Sequence, residues 1–288
     1  MSLFRTWMFV PGNQQRRIDK VSELDADIFI FDLEDSVPLQ EKMAARVLVS
    51  KSIENNQHLQ NYVRINDVTT PDFLEDLSFV FVKGLKGIVI PKANDPSDIR
   101  RVEKEVDDLE ERNHLPKGSI KLVPLIETAL GIHHAYNIAV SSKRIHQMAF
   151  GAIDYCLDIN AELTNSGMEL LYARSQLVVA SRAAGIEAPV DTVFLNILDS
   201  EGFRKESEFV KQLGFQGKLV IHPNQIPIVN SIFIPTQEEI KEAKEIVSAF
   251  KKAAEKGIAS LQINGKMVDY PVVNKAIKVC EKAKLLGL

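Results

Sequence analysis

The sequence predicts an α/β protein, a (β/α)8 TIM-like barrel with a C-terminal helical and hairpin extension. Three observations carry this. Eight short, nearly continuous apolar runs follow one another along the chain. Stretches of mixed polar and apolar periodicity lie between them, and most runs end in a polar or charged residue. Unbroken hydrophobicity suits strands buried on both faces, as in a parallel sheet. Strand and helix alternating eight times suits a closed barrel. An open doubly wound sheet is the alternative, and the count of eight favours the barrel.

The elements follow in order. Thr6–Val10 is the first expected strand and runs into Pro-Gly-Asn, with a helix over Arg16–Leu24. The second strand, Asp27–Leu33, ends at Glu34-Asp35 and leads to a helix over Glu41–Ile53. Tyr62–Ile65 ends at Asn66, and Gly87–Pro91 ends at Lys92. Pro96–Arg112 reads as a helix opening with proline in its first turn, where the missing N–H costs nothing. Lys121–Ile126 ends at Glu127, and Gln147–Ala152 ends near Asp154. A helix over Leu170–Ala184 precedes the seventh strand, Thr192–Ile197. A helix over Gly202–Leu213 stops at Gly214, and Lys218–Ile221 ends at His222-Pro223.

These elements account for a barrel over residues 1–235. Residues 236–288 are more than a barrel requires. Thr236 and Glu239 form a capping-box signal for a long charged helix. Asn264-Gly265 is a tight-turn signal between two short strands, and a helix is expected over Asn274–Leu286. Such a tail could cover a barrel mouth, its own or that of a neighbouring subunit.

Composition narrows the function. The chain has 288 residues, 45% hydrophobic and 26% charged, enough for a large core without a stabilising metal or disulfide. Its net charge of -4 is spread along the chain, with no basic stripe for nucleic acid. The only cysteines, Cys156 and Cys280, have no zinc spacing and read as reduced thiols of a cytoplasmic protein. No signal peptide or membrane-length apolar run is expected.

In such barrels the active site lies at the carboxyl ends of the strands. Glu127 and Asp154 end adjacent strands, so both carboxylates would point into the mouth. They would repel unless a cation or proton sat between them. With no cysteine or histidine cluster nearby, the cation that suits them is Mg²⁺, completed by waters and substrate oxygens. The alternative is that each caps a helix or pairs with a lysine. Arg64 lies in a buried run and needs anionic partners, and its fork matches a substrate carboxylate. A structural pair with Asp32 or Glu34 is the alternative, and the two are compatible if a strand-two acid orients the arginine. Gly151-Ala152-Ile153 before Asp154 would let backbone amides approach a carboxylate. His222 reads as a wall residue.

The motifs together resemble the citrate lyase β-subunit-like branch of the HpcH/HpaI aldolase family. Those carrying the resemblance are Arg5-Thr-Trp-Met-Phe-Val-Pro-Gly-Asn13, Phe31-Asp-Leu-Glu-Asp-Ser-Val37, Val63-Arg-Ile-Asn66 and Pro91-Lys92. Leu125-Ile-Glu-Thr-Ala129, Phe150-Gly-Ala-Ile-Asp154, Leu171-Tyr-Ala-Arg-Ser175 and Asn264-Gly-Lys-Met-Val-Asp269 continue it in family order. The resemblance implies a trimeric or hexameric lyase that cleaves citryl, malyl or citramalyl thioesters of CoA or an acyl-carrier protein. It implies Mg²⁺ on Glu127 and Asp154, substrate on Arg64, and thioester phosphates on Arg16 and Lys20. It also implies a catalytic aspartate, Asp269, brought over the mouth by a neighbouring subunit. Ile153-Asp154 stands where many relatives have Glu-Asp, and Asp158–Met168 is unlike the citrate lyase subunit proper. Those departures put a lyase acting alone on a CoA thioester ahead of a citrate lyase subunit. A non-catalytic subunit on the same scaffold would lack the full set Arg64, Glu127, Asp154 and Asp269.

Overall fold

The computed structural model describes residues 4–255, 257 and 259–288. Eight parallel strands close into a barrel in sequence order, β1 pairing with both β2 and β8. They are β1 (Thr6–Pro11), β2 (Ile28–Asp32), β3 (Asn61–Arg64), β4 (Leu85–Ile90), β5 (Lys121–Ile126), β6 (Ala149–Phe150), β7 (Val190–Asp191) and β8 (Gly217–Val220). Between them run α1 (Gln15–Ile18), α2 (Lys42–Asn55), α3 (Asp72–Val80), α4 (Pro96–Arg112), α5 (Ala129–Ala139), α6 (Ala152–Asp158), α7 (Leu171–Ala184) and α8 (Ser200–Leu213). The predicted barrel is therefore the fold. Among the described residues no helix is long and apolar enough to cross a membrane.

Strand parity fills the barrel. Trp7, Ile28, Ile30, Tyr62, Val89, Val123, Leu125, Ala149, Val190 and Leu219 form one buried cluster inside it. Side chains two residues apart on a strand share a face. The apolar interior positions thus fix where the next inward residue of each strand goes, at its carboxyl end. Gly87 is part of the same packing: a Cβ there would lie 2.2 Å from a Tyr62 ring carbon.

Several boundaries differ from expectation. The sixth strand is only Ala149–Phe150, because Ala152 already begins α6. The seventh is Val190–Asp191, not Thr192–Ile197. Val190 is fully buried in the barrel, whereas Leu195 and Ile197 in the expected run are 54% and 42% exposed. The first helix breaks after Ile18, and a single 3-10 turn over Val21–Glu23 follows. α4 begins where predicted, because Asp95 accepts from Ser97 N, Asp98 returns the bond and Pro96 opens the helix.

By its contacts the chain divides into two compact units, Phe4–Asn230 and Ser231–Leu288. α9 (Ile226–Ile232) follows the barrel strands in sequence. The second unit contains α10 (Gln237–Ala254), a hairpin of β9 (Leu261–Ile263) and β10 (Lys266–Val268), and α11 (Tyr270–Leu285). Thr236 caps α10 with the expected capping box. α11 starts earlier than Asn274, because Asp269 caps it and Pro271 fits its first turn. Phe250, Val268 and Val273 form this unit's own small core.

Candidate active site

Asp32, Arg64, Glu127 and Gly151 each stand two residues beyond a barrel-core residue: Ile30, Tyr62, Leu125 and Ala149. They converge at the carboxyl ends of β2, β3, β5 and β6. Asp32 and Arg64 are register partners on adjacent strands. Arg64 Nε and Nη2 donate to the two oxygens of Asp32, each at 2.7 Å. Arg64 Nη1 lies 2.9 Å from Glu34 Oε2, and the guanidinium stands over the Phe9 ring at 5.0 Å. The structural pairing considered from sequence is thus present with both Asp32 and Glu34.

The electrostatics follow from burial. Burial works against the Asp32 carboxylate, but the Arg64 charge and hydrogen bonds outweigh it and hold the group below the usual carboxylate range. Burial also disfavours a charged Arg64, and Asp32, Glu34 and Glu127 more than compensate, so the guanidinium stays cationic. Glu34 is pushed up by burial, with Asp35 adding to the rise and Arg64 and Lys92 opposing it.

Glu127 is 2% exposed. Burial pushes its carboxyl up to about 8. The Lys92 N–H and the Arg64 charge pull it down, while Asp154 and Glu34 push it further up. Lys92 N donates to Glu127 Oε1 at 2.8 Å. A Cβ on Gly151 would lie 2.4 Å from Glu127 Oε2, so only glycine leaves that oxygen its place. Asp154 is in the first turn of α6 and takes no hydrogen bond or ion pair among the described residues. A buried carboxylate raised by a second, unpartnered one is an arrangement that a divalent cation would relieve. The donor set is two carboxylates, all oxygen. That fits Mg²⁺, which often uses one or two carboxylates and keeps several waters.

Two amides expected to face a substrate carboxylate are already engaged. Gly151 N donates to Ile126 O at 3.0 Å, and Ala152 N to Thr192 Oγ1 at 2.9 Å. The expectation for these amides is corrected: β6 ends at Phe150, two residues earlier than expected, so Gly151 completes the barrel ladder and Thr192 fastens Ala152. The Ile153 amide, in the first turn of α6, has no partner among the described residues. Arg16 lies in α1, Lys20 just after it, and both are exposed and free of ion pairs among the described residues. Asp269, in the C-terminal unit, accepts from Val272 N at 3.3 Å as the cap of α11. His222 caps the short turn Pro223–Gln225, its Nδ1 accepting from Asn224 N. Cys156 and Cys280 are free thiols.

Sequence reasoning noted Lys92 as a strand end and gave it no partner. Its Nζ donates to Glu34 Oε1 at 2.9 Å. The Arg174 of the Leu171–Ser175 motif faces away from the mouth. It pairs with Asp191, which also takes Lys218, and these residues lie on the helix side of β7 and β8, beside Glu206 of α8.

Comparison with known proteins places the chain in a family. The family model described as HpcH/HpaI aldolase/citrate lyase matches residues 5–223. The citrate lyase subunit beta of Leuconostoc mesenteroides subsp. cremoris is 39% identical over 283 residues, covering 98% of this chain and 93% of its own. The mitochondrial citramalyl-CoA lyase of Rattus norvegicus is 30% identical over 284 residues, covering 94% of this chain and 83% of its own. A crystal structure of CitE from Mycobacterium tuberculosis with magnesium, acetoacetate and coenzyme A superposes with a TM-score of 0.82 at 27% identity, covering 98% and 99% of the two chains. With the family model spanning the whole barrel and relatives matched along nearly their full length, the chain is a lyase and belongs to the HpcH/HpaI aldolase/citrate lyase family.

Proposed function

We propose that the protein is a Mg²⁺-dependent carbon–carbon lyase that cleaves a 3-hydroxyacyl thioester of the citramalyl, malyl or citryl type to an acyl thioester and a keto acid. The observation that carries this reading is Glu127, a buried carboxylate raised by burial and by Asp154 in the same mouth as Arg64. Glu127 and Asp154 would hold the metal, which supplies Lewis-acid polarisation of the substrate's hydroxyl and carboxylate oxygens. Arg64, kept cationic and aimed by Asp32, binds the substrate's oxygen and stabilises the negative charge that develops as the C–C bond breaks. The hydroxyl gives its proton to solvent water and becomes the keto acid's carbonyl. The electron pair of the broken bond goes to the α-carbon of the acyl thioester, which Asp269 protonates. In the condensing direction Asp269 takes that proton back. Arg16 and Lys20, exposed and unpaired, meet the phosphates of the carrier. Asp269 serves a neighbouring barrel in a homotrimer or homohexamer, the 236–288 tail covering that subunit's mouth.

A second reading is supported by the pattern of identities. The citrate lyase beta subunits are 37% and 39% identical, against 30% for the citramalyl-CoA lyase. That weighs toward a citryl thioester on an acyl-carrier protein, whereas the Ile153-Asp154 departure weighs toward a CoA lyase acting alone. The metal site is tested by calorimetric titration of Mg²⁺ into the protein and its Glu127→Ala and Asp154→Ala variants. Both substitutions should abolish binding and leave the barrel folded by circular dichroism. Unaltered Mg²⁺ binding in both would remove these residues from the metal.

A further inference from the structure

Lys92 occupies an unfavourable backbone conformation. Its φ is +46°, in the left-handed region, where a side chain is strained and glycine is not. The main chain there has a task, since Lys92 N donates to Glu127 Oε1 at 2.8 Å. Glycine would perform that task at lower cost, so the backbone alone does not account for lysine.

The side chain reaches across to the other side of Arg64. Lys92 Nζ donates to Glu34 Oε1 at 2.9 Å. The other Glu34 oxygen, Oε2, lies 2.9 Å from Arg64 Nη1, yet it is buried and makes no hydrogen bond. Glu34 is thus shared: one oxygen accepts from Lys92, and its ion pair with the guanidinium is in place without the geometry of a hydrogen bond. Arg64 has spent Nε and Nη2 on Asp32. What remains is one Nη2 hydrogen and the Nη1 side, which lies 2.9 Å from Glu34 Oε2 and 3.6 Å from Asp35 Oδ2. A guanidinium has five N–H donors, and a carboxylate free to turn fully onto Nη1 would take both hydrogens of that nitrogen and leave only one, on Nη2, for a substrate.

Taking Arg64 as the substrate's partner, as above, we propose that Lys92 is a positioning residue. Its ammonium holds Glu34 and thereby limits that carboxylate's claim on the Nη1 edge of Arg64, leaving an N–H there for an incoming oxygen. The backbone of Lys92 and its side chain then serve two different carboxylates, Glu127 and Glu34, and a substitution can separate them.

The test compares Lys92→Gly, Lys92→Met and Lys92→Arg, alone and with Glu34→Gln. Lys92→Gly should be at least as stable in thermal unfolding as the parent, because the left-handed position no longer carries a Cβ. It should bind Mg²⁺ alone with parental affinity, because Glu127 keeps its N–H donor. Oxaloacetate binding in the presence of Mg²⁺ should weaken roughly tenfold, as for loss of one charge-assisted hydrogen bond. Turnover of citramalyl- or citryl-CoA should fall roughly 10²-fold, as for loss of a transition-state donor. Lys92→Arg should recover most of both. Adding Glu34→Gln to Lys92→Gly should also recover them, since the residue that closes the fork is then uncharged. Lys92→Met, which keeps a long side chain, repeats the comparison if glycine lowers the folded yield. Parental oxaloacetate binding and turnover in Lys92→Gly and Lys92→Met would overturn the assignment. So would a parallel loss of Mg²⁺ affinity, or a further loss on adding Glu34→Gln. If Arg64→Lys itself leaves oxaloacetate binding unchanged, the reading of Arg64 fails and the role of Lys92 falls with it. If oxaloacetate binds but no thioester turns over, only the substrate class is wrong, and the binding comparison still decides the role of Lys92.

Discussion

A guanidinium buried against carboxylates is a weak way to hold a fold together. Desolvating the charges offsets most of their attraction, and apolar residues of the same volume often do as well or better. Arg64 and Asp32 sit at the top of a barrel whose interior is otherwise apolar, so the pair points to a task beyond stability. Arg64→Lys keeps the charge and loses the bidentate fork. Turnover should fall roughly 10²-fold or more, as for loss of a transition-state donor, while the variant stays folded. Near-normal steady-state kinetics would leave Arg64 as no more than a partner of Asp32. The places of Arg64 and Glu127 in the fold were legible because each lies at the end of an apolar run that forms a barrel strand, whereas Asp154 stands in the first turn of a helix. The conformation of Lys92 was not legible, since nothing in the residue type announces a positive φ. Nor was the engagement of the Ala152 amide, because its acceptor, Thr192, lies on another loop.

The eight strands could be read at the scale of elements because continuous apolar runs mark burial on both faces. The reading failed where apolar residues are not buried. The expected seventh strand follows hydrophobicity into Leu195 and Ile197, both exposed, while the true strand is two residues long and hidden beside Pro189. The sixth strand was extended into α6 for a related reason. Ala152 is buried as a strand residue would be, but it packs from the first turn of a helix. This difference matters for the site. Asp154 reaches the mouth from a helical first turn, not from a strand end. Helix-start residues were the most dependable local signals: Pro96 and Thr236 start their helices as expected, and Asp95 adds a cap that sequence reasoning did not name. The capping role of Asp269 moves the start of α11 forward from Asn274 to Tyr270.

For the whole molecule, the question is how the C-terminal unit takes part in catalysis. Asp269 caps α11, and capping alone could account for an acidic residue there. Asparagine caps a helix about as well as aspartate, so Asp269→Asn spares the helix and removes only the carboxylate. The expected result is a folded protein with little turnover. If Asp269 acts on a neighbouring barrel, mixing it after dissociation and reassembly with inactive Glu127→Ala should restore part of the activity. Some interfaces then pair an intact metal site with an intact aspartate. A mixture that stays inactive would confine Asp269 to its own subunit, and an active Asp269→Asn would reduce it to a cap.

The account's central claim is that the mouth residues form a Mg²⁺-dependent thioester lyase. Its most direct test is a coupled assay of keto-acid release from citryl-, malyl- and citramalyl-CoA, and from citryl-acyl-carrier protein, with Mg²⁺ and with chelator. The expected result is turnover of at least one thioester, lost on chelation, restored by Mg²⁺ and absent in Asp154→Ala. Turnover that survives chelation, or that Asp154→Ala retains, would contradict the claim.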